Sequence, residues 1–131
     1  MLAPFVGEED LTGDVVRRVE AVCAASAPFG VRFARLDRFE RDGLIHAVPE
    51  PAEPWRDLTA AMCREFPAHA PYGGAFGDVA PHLSLDHGPD ADALLDEVAL
   101  PVEQTVTILE LVRYAPRRSA VLHRFRLGTP L

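Results

Sequence analysis

Lysine is missing from this chain: all 13 basic residues among its 131 are arginine, set against 20 aspartates and glutamates, for a net charge of −7. A chain this acidic has no global basic field to hold a long nucleic-acid duplex, so such a partner is not expected. No apolar run approaches the roughly 18–20 residues that cross a bilayer, which excludes a helical membrane span. No basic region followed by an apolar stretch opens the sequence, so no signal peptide is expected and the cytoplasm is the expected location. Cysteine is scarce as well. Cys23 and Cys63 stand alone in helix-like segments among alanines and valines, where they read as small packed apolar residues rather than a disulfide or a nucleophile. The absence of lysine, beside abundant Ala, Pro and Asp, reflects a GC-rich coding bias more than chemistry. It also rules out a phosphate loop at Gly73-Gly74, which has neither the lysine nor the following helix.

What is present is an ordinary globular composition, 48% apolar and 25% charged, and a length that forms one domain with its own core. Leu11, Val15, Val16, Val19, Val22 and Cys23 share one helical face, with Asp10 or Thr12 as N-cap, and Pro28 and Gly30 stop the helix. Val31 to Phe39 reads as a strand, Arg41-Asp42-Gly43 as a tight turn, and Leu44 to Val48 as the returning strand. Pro49–Pro54 reads as a loop, with Pro54 opening a second helix whose inner face is Trp55, Leu58, Ala61, Met62 and Phe66. Pro67 to about Ala80 is irregular, and structureless connections of that length are usually functional or disordered. A short strand, Pro81–Asp86, follows. Next come a turn at Gly88-Pro89 and a helix from Asp90 to about Val98. Two strands, Glu103–Tyr114 and Ala120–Leu127, close the chain around the turn Pro116–Ser119. The order is α-β-β-α, then β-α-β-β.

The chemistry concentrates in Pro81-His82-Leu83-Ser84-Leu85-Asp86. Alternation along a strand puts His82, Ser84 and Asp86 on one face, and Leu83 and Leu85 on the other, core-facing one. An imidazole exchanges protons near neutral pH, and a hydroxyl two residues on can hydrogen-bond an anionic oxygen. Alone, a His-x-Ser on a strand is also what a half-exposed histidine beside a serine looks like.

The context is more specific. Pro71-Tyr72-Gly73-Gly74-Ala75-Phe76 followed by Pro81-His82-Leu83-Ser84-Leu85 resembles the second motif region of bacterial 2H phosphoesterases, the 2'-5' RNA ligase-like superfamily. Arg38-Phe39, Pro49-Glu50-Pro51, Pro54-Trp55 and the closing Phe125-Arg126-Leu127-Gly128 fit the same pattern, so the resemblance runs over nearly the whole chain. It implies an α/β fold of the α+β type, with two pseudo-symmetric lobes whose antiparallel sheets flank a central cleft. It also implies metal-independent chemistry on a phosphodiester, commonly a 2',3'-cyclic phosphate, with paired His-x-Ser/Thr motifs supplying acid, base and phosphate contacts. Carried over by position, His82 is one acid/base and Ser84 one phosphate ligand. Met1-Leu2-Ala3-Pro4-Phe5 resembles the run that follows the family's first motif. The first histidine is therefore expected just ahead of Met1, and Met1–Phe5 is expected to be an edge strand. With one histidine, turnover is expected to fall by about 10²–10⁴-fold, and a non-catalytic binder of nucleotides or RNA ends is the alternative.

Other residues have two readings each. His46 could face the cleft as a substrate contact or simply pack within its strand. Tyr72 and Phe76 could stack on a base or anchor their loop. His82, Asp86 and His87 have no recognisable ligand spacing, so no metal and no other cofactor is expected. The expected partner is a small nucleotide or an RNA terminal cyclic phosphate.

Overall fold

The computed structural model describes residues 2–71, 80–86 and 93–128. Helix α1 spans Gly13–Ala24, and of its two candidate caps Thr12 takes the role, its Oγ1 accepting from the Val15 N–H at 3.4 Å. The inward stripe of α1 delivers Val19 and Cys23 to the core. Helix α2, Glu53–Glu65, has Pro54 in its first turn, where a missing N–H costs nothing, and contributes Leu58 and Met62.

A four-stranded antiparallel sheet runs in the order β3-β2-β1-β4, from β1 (Phe29–Arg38), β2 (Ile45–Glu50), β3 (Leu83–Asp86) and β4 (Val102–Val106). A separate hairpin pairs β5 (Ile108–Ala115) with β6 (Arg118–Arg126). The helical segment α3 is confined to Leu94–Glu97. Antiparallel pairing in two sheets agrees with the expected α+β class.

Several boundaries differ from the sequence reading. Glu103–Tyr114 is two strands that break at Thr107, because β4 pairs with β1 while β5 turns away to pair with β6. Thr107 marks the switch between sheets, and its carbonyl accepts the Leu127 N–H at 2.9 Å. β2 continues through Pro49 to Glu50, and the last turn narrows to Pro116-Arg117. Leu2–Phe5 is not a strand. Pro4 has no N–H to give a ladder, and the segment is tied instead by the Phe5 N–H to the His69 carbonyl at 2.9 Å, with Ala3 buried. Met1, the turn at Gly88-Pro89 and the start of the expected third helix lie outside the described residues.

The main core joins both helices to the hairpin: Val19 and Cys23 from α1, Met62 and Phe66 from α2 and its end, and Phe125 and Leu127 from the last strand and just beyond it. A second cluster, Val31, Phe33 and Ala47, lines the helix-facing side of the larger sheet with Trp55 against it. Cys23 is fully buried. Burial and, secondarily, the Glu20 carboxylate push its thiol up from 9.0 to about 11. Because the folded state favours the neutral thiol, this contribution to stability is full below about pH 9 and is lost as pH rises through about 11. In native protein, thiol alkylation is therefore expected at the half-buried Cys63 and not at Cys23. Equal labelling of the two, read by peptide mass, would contradict this burial.

Candidate functional site

The site is built from the hairpin β1–β2 and the edge strand β3. Between the hairpin strands the chain closes a short loop. The Phe39 N–H donates to the Leu44 carbonyl at 3.0 Å, the Gly43 N–H to the Phe39 carbonyl at 2.9 Å, and the Leu44 N–H to Asp42 Oδ1 at 3.0 Å. Gly43 sits at φ 72°, the left-handed region that other residues occupy only with strain. A Cβ there would meet open space, so Gly43→Ala should cost only the backbone term, about 1–2 kcal/mol, measurable by chemical denaturation.

This loop brings Phe39 back beside His46. The two rings stack, centroids 3.9 Å apart and 17° from parallel. His46 is 5% exposed, and its Nδ1 lies 3.3 Å from the Leu44 carbonyl, which makes that nitrogen the N–H donor. Across the sheet, register sets Asp37 of β1 and Ser84 of β3 on either side of His46. The three therefore share one face, opposite to the buried Ile45 and Ala47. Asp37 is engaged elsewhere: Oδ1 accepts the Arg38 N–H at 2.8 Å, and Oδ2 lies 3.5 Å from Arg35.

His82 stands one residue ahead of β3. Its ring meets Phe39 edge-on at 4.9 Å and His46 at 5.5 Å. Its Nδ1 donates to the Ala80 carbonyl at 2.8 Å, leaving Nε2 as the lone-pair nitrogen of the neutral ring. Two residues on, about 7 Å along an extended chain, comes Ser84. An imidazole whose Nδ1–H is held in this way and a hydroxyl two residues further along the chain can accept a proton and donate a hydrogen bond to one small anion.

Of the expected site residues, then, His46, His82 and Ser84 come together. Tyr72, Phe76 and His87 lie outside the described residues. Phe39 was not anticipated as part of the site, although the turn at Arg41-Asp42-Gly43 implies that residues flanking it meet. The expected apolar, core-facing side of the β3 strand is corrected: Leu83 is 50% and Leu85 38% exposed, on the edge strand of the sheet. A register shift also sets Asp86 opposite Ile45, so the simple alternation ends at Ser84. His123 is an exposed residue stacked on Phe125 at 6.0 Å, apart from this cluster.

Elsewhere, an apolar groove of about 1180 Å³ runs between the segment Leu2–Glu8 and β5. None of His46, His82 or Ser84 lines it. Among the described residues no group of His, Cys, Asp and Glu is arranged to hold a metal ion, and no helix is long and apolar enough to cross a membrane.

The family model of the 2'-5' RNA ligase superfamily matches residues 1–118. The chain belongs to that superfamily. The match to the 2'-5' RNA ligase superfamily takes in the hairpin, β3 and the last turn, and so contains every residue of the cluster. A solved structure from Thermus thermophilus is 22% identical, with a TM-score of 0.63, and the alignment covers 95% of this chain and 73% of that one. At that identity the likeness is one of fold, and it supports the 2H phosphoesterase architecture. No curated protein matches the chain.

Proposed function

We propose that this 2'-5' RNA ligase superfamily protein binds and opens a 2',3'-cyclic phosphodiester on a small nucleotide or RNA end, at the face formed by His82 and Ser84. The observation that carries the reading is the fixed His82 tautomer beside Ser84: Nδ1–H is committed to the Ala80 carbonyl, which leaves Nε2 to handle a proton. In the proposed step water attacks phosphorus, His82 Nε2 takes the water proton, and one ribose P–O bond breaks. The departing ribose oxygen, on the opposite side of phosphorus, takes its proton from solvent. The Ser84 hydroxyl donates to a non-bridging oxygen as charge builds there. The net charge of −7 favours a short substrate over a long polyanion.

A second reading rests on one specific observation. Among the described residues the imidazole in ring contact with His82 is His46, and rings 5.5 Å apart in edge contact leave no room for phosphorus between them. His46 is therefore not a second histidine facing His82 across a substrate, and a binder of cyclic phosphate ends that does not turn over is the alternative. Incubation with a 2',3'-cyclic nucleotide, followed by ³¹P NMR, separates the two. Conversion to a nucleoside monophosphate supports hydrolysis. Retention on the protein without conversion supports the binder, and neither binding nor conversion would overturn both.

A further inference from the structure

We propose that His46 is a positioning residue, which together with Phe39 forms an aromatic wall that fixes the ring of His82. This rests on the reading of His82 as the proton-transfer group. His82 needs such a wall. It precedes the edge strand of its sheet and is half-exposed, and the bond to the Ala80 carbonyl holds its ring at Nδ1. A bond at one nitrogen leaves the ring plane free to swing about that point. A misplacement of about 1 Å at a reacting group can cost about 10²-fold in rate.

The wall has what is needed to prevent that swing. Phe39 contacts the His82 ring edge-on at 4.9 Å, and His46 contacts it at 5.5 Å, 71° from parallel. The wall itself is rigid for stated reasons. The Phe39–His46 stack at 3.9 Å restricts both rings, and His46 Nδ1 is directed at the Leu44 carbonyl. That carbonyl also receives the Phe39 N–H, so one acceptor ties both members of the stack to the hairpin loop. His46 is buried, and the ring spacing excludes it from taking the far side of the phosphate. Its part is therefore played through His82, and it is the ring rather than the second ring nitrogen that does it.

The test compares His46→Ala, which removes the ring, with His46→Phe, which keeps the stack but not the bond to Leu44. The first readout is the order of the His82 ring in substrate-free protein, from ¹³C relaxation of its ring C–H groups, which does not depend on any turnover. Wild type and His46→Phe should show a ring as ordered as its backbone, and His46→Ala a ring of clearly lower order. The second readout is the opening of a 2',3'-cyclic nucleotide. There His46→Ala should lower kcat about tenfold with KM within about twofold, and His46→Phe should recover most of kcat. Phe39→Leu removes the other half of the wall and should reproduce the His46→Ala result even if that variant folds poorly. An unchanged His82 ring order in both ring-deleting variants overturns the proposal. So does a His46→Phe variant as impaired as His46→Ala, which would assign the role to a ring nitrogen. The expected ring-order result in a protein that opens no cyclic phosphate would leave the wall standing and refute only the hydrolytic reading.

Discussion

His82→Ala is expected to lower the opening of a 2',3'-cyclic nucleotide by about 10²–10⁴-fold, the range over which a positioned acid or base contributes. The loss should fall on kcat, because the residue's proposed part is a proton moved in the transition state and not a contact made equally to the bound substrate. Stability should change little. His82 is half-exposed, lies outside both core clusters, and is hydrogen-bonded to the nearby Ala80 carbonyl. Substitutions away from packed or strained positions usually stay within about 0.5 kcal/mol. Steady-state kinetics of the variant beside a thermal melt therefore separates chemistry from folding. Full activity in His82→Ala would remove His82 from the reaction. A lost fold would mean that its ring contacts with Phe39 and His46 support the hairpin more than its exposure suggests.

The second large effect concerns the core. Phe66→Ala should destabilise the protein by about 3–5 kcal/mol, the usual loss when a buried phenyl ring leaves a cavity. Phe66 is 2% exposed and sits at the end of α2, its N–H donating to the Met62 carbonyl and its own carbonyl accepting from His69. The ring lies in the cluster that joins α1, α2 and the hairpin. It also carries the Arg18 guanidinium 4.6 Å above its centroid, the same group that grips Glu65. Removing it thus loosens three elements and the shelf under an ion pair. Leu83→Ala provides the contrast. Leu83 is 50% exposed at a sheet edge, and truncating it should cost about 0.5 kcal/mol or less. Urea unfolding of the two variants checks both values, and a Phe66→Ala loss under about 1 kcal/mol would contradict the packing.

The two helices were legible because their apolar residues recur at helical spacing and their ends carry signals the backbone needs: Thr12 at one cap, Pro54 in the other first turn. His82 and Ser84 stood out as candidates because their residue types and the preceding Pro-Tyr-Gly-Gly-Ala-Phe run are specific together. What could not be read from the chain depends on partners distant in sequence. The break at Thr107 lies inside an uninterrupted β-favouring stretch, with no glycine or proline to mark it. Only the competition between β1 and β6 for neighbouring strands puts it there. Alternation along Pro81–Asp86 set Leu83 and Leu85 toward the core and so overstated their burial. Period-two patterning says which side chains share a face, not whether anything covers that face. Phe39 joined the site through a loop closure made by backbone groups, and its own side chain gave no sign of it.

The proposed function stands or falls with the face bearing His82, Ser84 and His46 as the place where a cyclic phosphodiester binds. An NMR titration of the protein with a 2',3'-cyclic nucleotide, following the histidine ring signals and backbone amides, tests that placement. Saturable shifts should be largest at His82 and Ser84, with His46 and Phe39 moving along with them and the groove beside β5 unmoved. Shifts centred on that groove, on Leu109 to Pro116, or no saturable shift anywhere, would refute it.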